Sequence, residues 1–350
     1  MKTLALIILS LFACQFSFAQ VFRQAAFRID SLPAEGILLD KGWKWHAGDN
    51  PDFAKPDFDD SAWERIDPTK TIHYLPQIRK EPVGWFRLRL RIDSSFLNKP
   101  LTFAIYQSIA SEIYLNGQLL KKFGTVSQNK DEIKAIQPLY APSGILFNKT
   151  EEVFAVRFSV QPNIYYLNFY MPFQTFIFRI NTVWGSSQFN RTGSKIPILN
   201  GLHIGAYTIL CLIHLIFFFL YKKQKANLFF ALATLSGIIA NVLDISFVLS
   251  DDVAYWSSVS YIEYTFLLTF YNLFLYLAIY QLFNYPRKGL FVISVSYLVL
   301  GVCLWFFIYE RSILYAFVFP CLFCMIDAIR IAFIAYKKGF KDAQIIIIGF

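Results

Sequence analysis

The chain changes character at about residue 198. Before it lies an aromatic, turn-rich stretch of domain length. After it come apolar runs joined by short loops, at 199–221, 226–249, 258–283, 289–309 and 313–336, and a sixth starts at 343 and is incomplete at Phe350. A hydrocarbon core about 30 Å thick needs about 20 apolar residues at about 1.5 Å rise each, and each of the five complete runs meets that length. The sequence therefore predicts a multidomain chain, with an exported unit over 20–190 and a transmembrane helical bundle over 199–350.

The loops carry an orientation. Lys222, Lys223 and Lys225 follow the first run, Arg287 and Lys288 the third, and Lys337, Lys338 and Lys341 the fifth, whereas the intervening loops read Ser250-Asp251-Asp252 and Glu310-Arg311-Ser312. Basic loops face the cytoplasm. The expected location is thus the cell (inner) membrane, multi-pass, with the N-terminal domain extracytoplasmic. The net charge of +9 is partly accounted for by this topology and calls for no nucleic acid partner; the lipid bilayer is the partner that the composition demands. The N-terminus agrees: Lys2 precedes an apolar stretch over 4–12, and Ser17-Phe18-Ala19 offers a cleavage site for a signal peptide over 1–19. A lipidated Cys14 is the alternative processing. No Cys lies between Gln20 and Leu210, so the exported unit is expected to hold together without disulfides, by its core alone.

That unit reads as β. Residues 83–93 alternate Trp85, Arg87, Arg89 and Arg91 against Phe86, Leu88, Leu90 and Ile92, a period of two that buries one face and solvates the other. Further strands are expected at 101–106, 112–115, 118–122 and 152–160. Asn116-Gly117 is the pair that a type I′ hairpin turn selects, because both central residues need positive φ. Many short strands with turn signals suggest an all-β jelly-roll sandwich.

Gly42-Trp43-Lys44-Trp45, the segment Asp57-Phe58-Asp59-Asp60-Ser61-Ala62-Trp63, Gly84-Trp85-Phe86-Arg87 and Ile113-Tyr114-Leu115-Asn116-Gly117 follow one another in an order that resembles galactose-binding-like jelly rolls, such as the sugar-binding domain at the front of family 2 glycoside hydrolases. With the membrane unit behind it, the chain resembles the bacterial seven-transmembrane receptors with diverse intracellular signalling modules. That resemblance implies a seventh span and a cytoplasmic signalling module beyond Phe350.

Sugar-binding candidates are Trp43, Trp45 and Trp85 as stacking faces, with His46, Arg87 and Arg89 as hydrogen-bonding groups. Each has a structural alternative: a core anchor for the indoles, a solvated or salt-bridged face for the arginines. Polar groups inside a membrane are expensive and need an account. His203, Asp244 and Glu263 fall at a common depth of about 6–9 Å from the outer face at about 1.5 Å per residue, and could form a coupling network or reach the interface separately. Asp327 and Arg330, three apart, share a helix face and are the second coupling candidate. Cys321-x-x-Cys324 reads as a packing pair.

No nucleotide-loop, zincin, nucleophile-elbow or dinucleotide fingerprint occurs in the sequence. The chain is accordingly expected not to be an enzyme and to carry no catalytic residues, metal or cofactor. The predicted function is a receptor in which the β-domain senses a small molecule, carbohydrate-like, and the helices relay the change to a cytoplasmic module; the sequence allows a homodimer. A transporter or membrane enzyme with a substrate-capture β-domain is the alternative.

Overall fold

The computed structural model describes residues 26–350 other than 139–141, 165–173, 188–194, 265–268, 308–312, 341–342 and 344–350. The signal peptide, Cys14 and nearly all of the sixth run lie outside the described residues. The chain separates into two compact units, Met1–Asn163 with Phe173–Arg191 and Ile164–Pro172 with Thr192–Phe350.

The first unit contains eleven described strands: β1 (Phe27–Ile29), β2 (Ile37–Leu38), β3 (Lys44–Ala47), β4 (Glu64–Arg65), β5 (Gly84–Ile92), β6 (Leu101–Gln107), β7 (Ala110–Leu115), β8 (Gln118–Phe123), β9 (Ser143–Ile145), β10 (Glu151–Ser159) and β11 (Phe176–Thr182). One sheet runs β4-β3-β5-β10-β7-β8, with β1 also on β5, and the other runs β2-β11-β6-β9. Every pairing is antiparallel except β1 with β5. Aromatic rings join the two sheets: Trp43 meets Phe176 edge-on at 5.8 Å between centroids, and Phe154 meets Phe178 at 4.6 Å. These rings bury large apolar areas and fix the spacing of the layers.

β5 forms where its alternation predicts, and Phe86, Leu88, Leu90 and Ile92 are all buried. Its opposite face departs from expectation. Trp85 and Arg87 are buried as well, Arg89 is partly covered and only Arg91 is exposed, because the segment 51–63 folds across that face. Gly84 is required beside Phe158, since a Cβ there would lie 2.7 Å from the phenyl ring. At the β7–β8 turn Asn116 and Gly117 take φ of 48° and 83°, the left-handed conformations that the hairpin needs.

The second unit is helical: α1 (Lys195–Leu220), α2 (Lys225–Leu249), α3 (Val253–Tyr264), α4 (Asn272–Leu282), α5 (Leu290–Phe307) and α6 (Ile313–Lys337). Among the described residues three helical segments are long and apolar enough to cross a membrane, Pro197–Leu220, Lys225–Leu249 and Phe319–Lys337, and Leu290–Gly301 is a shorter apolar helix. The run at 258–283 is described as two helices, and the first begins earlier than the apolar run. Asp252 explains that start, because its Oδ1 accepts hydrogen bonds from the N–H groups of Ala254 and Tyr255 at 2.9 and 3.2 Å, satisfying donors that the first turn leaves open. α1 and α2 pack through small residues: Ala226, Ala231, Ala233, Ser236, Gly237 and Ala240 are buried on α2, and a Cβ at Gly237 would stand 3.0 Å from the Tyr207 ring. Small residues permit the close helix approach that a membrane interface needs. Most large apolar side chains of α1 point outward, Leu202, Ile209 and Phe219 among them, as lipid contact requires.

Candidate functional site

The outer face of the larger sheet carries a buried carboxylate at its centre. Asp60 receives Lys44 Nζ at 3.0 Å on Oδ1, and on Oδ2 Arg87 Nε at 3.0 Å and Arg89 at 3.3 Å. Burial would raise the Asp60 pKa, but the hydrogen bonds from Lys44 and Arg87 and the charge of Arg89 outweigh it and hold the carboxyl below its usual range. The Arg87 guanidinium, fully enclosed, also donates to the carbonyls of Phe53, Lys55 (3.1 Å) and Phe58 (3.5 Å), and Arg89 donates to Phe58 O at 2.9 Å and Pro56 O at 3.3 Å. Phe53, Trp63 and Trp85 pack beneath as a small core with Ala155. One carboxylate and two guanidiniums thus staple the segment 51–60 to the sheet.

A second charged group continues along this face. Arg157 forms a bidentate pair with Asp49, both contacts at 2.6 Å, and donates to Glu112 at 3.2 Å, while Lys122 reaches Glu112 at 2.7 Å and the Tyr114 hydroxyl donates to it at 3.0 Å. Asp49 is held below its usual pKa by the Arg157 hydrogen bonds. For Glu112, burial opposes but Lys122, Tyr114 and Arg157 prevail. Burial and then the Glu112 charge push the Tyr114 phenol up to about 12. Both carboxylates are therefore ionised at neutral pH.

The six ligand candidates divide. Trp43 is interior, its indole N–H donating to Leu39 O at 2.7 Å; Trp85 and Arg87 are likewise enclosed. The stacking faces and the guanidinium expected of these three are spent inside the protein, and that expectation is corrected. His46 is exposed, 5.2 Å from the Trp63 ring, Trp45 is half-buried, and Arg89 keeps a small exposed fraction. Beside them a cleft of about 550 Å³ is lined by Phe27, Lys41, Trp43, Lys44, Trp63 and Arg65, among others. Its position was not foreseen, because it depends on which strands share an edge of β5.

In the helical unit Asp327 and Arg330 do pair, Arg330 Nε to Asp327 Oδ1 at 2.7 Å. The other oxygen, Oδ2, accepts the hydroxyls of Tyr276 and Tyr280 from α4 at 2.6 and 2.7 Å, Tyr276 contacts Ser294 Oγ of α5 at 3.1 Å, and Arg330 donates to the Tyr285 hydroxyl at 3.2 Å. Asp327, Tyr276, Tyr280 and Ser294 are all buried. The three phenols and the serine were missed; the signal available was two tyrosines four apart in an apolar run. The expected trio of His203, Asp244 and Glu263 is rearranged. Asp244 accepts a hydrogen bond from Asn200 and lies within electrostatic reach of Glu263, whereas His203 is exposed and contacts Tyr207 one turn along its own helix. Asn200, one turn before His203 on α1, takes the place assigned to the imidazole. No cluster of potential metal ligands occurs among the described residues, and Cys321 and Cys324 are both buried.

No family model matches this chain, and no curated protein does. Among solved structures it is similar to a Bacteroides uniformis β-glucuronidase, with 17% identity over 41% of this chain and 17% of that one at a TM-score of 0.30. A family 2 glycosyl hydrolase from Bacteroides cellulosilyticus gives 18% identity over 42% and 21% at a TM-score of 0.29, and a putative β-galactosidase from Bacteroides fragilis 13% over 41% and 22% at 0.26. The chain spans about a fifth of the length of these proteins. All three are glycoside hydrolases or assigned as such, and the expectation that this chain is not an enzyme is withdrawn on that finding. The receptor resemblance rests on the residues quoted for it, with no family match behind it.

Proposed function

We propose that the chain is a membrane receptor of the inner membrane, whose β-sandwich, a galactose-binding-like jelly roll, faces outward, binds a small polar ligand of carbohydrate type, and biases the packing of the helices. The observation that carries this reading is the Asp327 cluster. A carboxyl group in an apolar helix is expensive, and here it is held by hydroxyls of a neighbouring helix on one oxygen and by its own helix on the other. Such an arrangement has two separable halves, which is what a shift between two helix packings needs. The basic loops after 221, 283 and 337 support the inside-facing end.

Two measurements test the proposal. In nanodiscs, a panel of neutral and acidic sugars should include one that slows hydrogen exchange in the β-unit and changes it over 276–294 and 324–330, the second change being lost in Asp327→Asn. Protection confined to the β-unit would overturn the receptor reading. A reporter active only in the cytoplasm should work when fused after Lys225 or Lys288 and be silent after Asp252; activity at Asp252 would reverse the orientation.

A further inference from the structure

The cleft beside β3 has a definite origin. β10 occupies one edge of β5 along nearly its whole length, so β3 and β1 must share the other, β3 along Gly84–Arg87 and β1 along Leu90–Ile92. The two strands fork on either side of Leu88 and Arg89. The end residues of the fork, Phe27 of β1 and Lys44 of β3, both line the cleft, and Trp43, Trp63 and Ile66 supply apolar walls. Its size, about 550 Å³, falls within the range of small-ligand sites.

Its charge is one-sided. Lys41, Lys44 and Arg65 line it against a single carboxylate, Asp67. That carboxylate is engaged by its own turn, accepting the N–H and hydroxyl of Thr69 at 3.0 and 2.6 Å. Lys44 shares the Asp60 carboxylate with Arg87 and Arg89. Lys41 and Arg65 are exposed and form no ion pair among the described residues. Arg65 moreover stands directly across the strand pair from Lys44, a like-charge placement that ordinarily costs stability and that an anion lying between the strands would offset.

We propose that this fork cleft binds a small anionic ligand of the acidic-sugar class, its carboxylate, sulfate or phosphate group held by Arg65 and Lys41 and its apolar ring face set against the Phe27 and Trp63 side of the cleft. The inference deepens the receptor reading by naming the ligand class and its site, and it can fail separately. Guanidinium suits the task because its planar donors match an oxyanion in two places.

The test uses the full chain in nanodiscs, titrated calorimetrically with galacturonate, galactose and sodium sulfate. Galacturonate should bind at least tenfold more tightly than galactose, sulfate should compete with it, and Arg65→Gln should abolish the preference while Lys41→Gln reduces it several-fold. A salt-dependent loss of affinity should accompany it. Equal affinity for the two sugars, an unchanged preference in Arg65→Gln, or no binding of galacturonate would overturn the proposal. Competition by sulfate without any preference between the sugars would point to adventitious anion binding and would overturn it as well. If a neutral sugar binds and alters exchange over 276–294, the receptor reading stands and the anionic site falls; if galacturonate binds as described and the helices do not respond, the reverse holds.

Discussion

Two buried aspartates, one in each unit, solve the same problem with different materials. Asp60 is enclosed and gathers three cations from two strands, of which Lys44 and Arg89 keep a small exposed fraction, whereas Asp327, in an apolar helix, has one cation from its own helix and takes the rest of its satisfaction from neutral phenols. The contrast follows from the desolvation cost of each partner. Near a surface, added cations such as Lys44 and Arg89 can stay partly hydrated; inside a membrane every added charge is a further expense, so uncharged donors are the cheaper way to complete a carboxylate. The Asp60 assembly is a staple made by ionic excess. The Asp327 assembly is a minimal pair extended by hydroxyls.

The largest expected effect breaks the first of these. Asp60→Asn leaves Arg87 enclosed without its counterion, which typically costs about 3–5 kcal/mol, and chemical denaturation followed by tryptophan fluorescence should show the β-unit unfolding early. The same residue sets a pH dependence. Because its folded pKa lies below the unfolded value of about 3.9, its contribution is complete above that value and is lost as pH falls through the folded pKa. Wild type should therefore lose stability in acid more steeply than Asp60→Asn, and parallel acid limbs would count against the staple.

Next in size is Trp63→Ala. The indole is buried against Phe53 at 5.0 Å and beside His46, and its removal should cost about 3–5 kcal/mol. Unchanged stability would move the residue from anchor to surface. Asp327→Asn should cost less, about 1–3 kcal/mol, because Arg330 keeps the Tyr285 hydroxyl and the phenols keep an acceptor. A cycle combining it with Tyr276→Phe, read by thermal melting in nanodiscs, should give a coupling above about 0.5 kcal/mol; additivity would show that the phenol and the carboxylate do not work together. The smallest effect sharpens the β side: Gly117→Ala meets only ordinary contacts but forces a Cβ into positive φ, at about 1–2 kcal/mol, visible as a modest shift of the denaturation midpoint.

How far the sequence could be read followed the range of the forces involved. β5 and the Asn116-Gly117 turn were legible because alternation and positive φ are local properties. β11 carried the same period-two signal in Phe176, Phe178 and Ile180, all buried, and was not among the expected strands. The candidate site was less legible. Arg87 alternates with apolar residues and so reads as solvated, yet the chain that covers it lies 27 to 34 residues earlier, a separation that no periodicity reports. In the membrane unit the Asp327–Arg330 pair was visible at helical spacing, but its phenol partners lie 47 and 51 residues away and depend on which helices become neighbours. Lys41 and Arg65 were passed over for the same reason, since only the placing of β1, β3 and β4 brings them into the lining of one cleft.

The staple also has an order in time. A polypeptide is made from its N-terminus, so Asp60 and the carbonyls of Phe53, Lys55 and Phe58 exist for some thirty residues of synthesis before Arg87 and Arg89 arrive to close on them. Until then the segment lacks its guanidinium contacts and has only Lys44 of β3 on Asp60, and afterwards it is fastened at several points by β5 as well. The segment 51–60 is therefore a late latch, vulnerable to cleavage in the nascent chain and protected in the finished one, and a protease that cuts there should distinguish newly made molecules from mature ones.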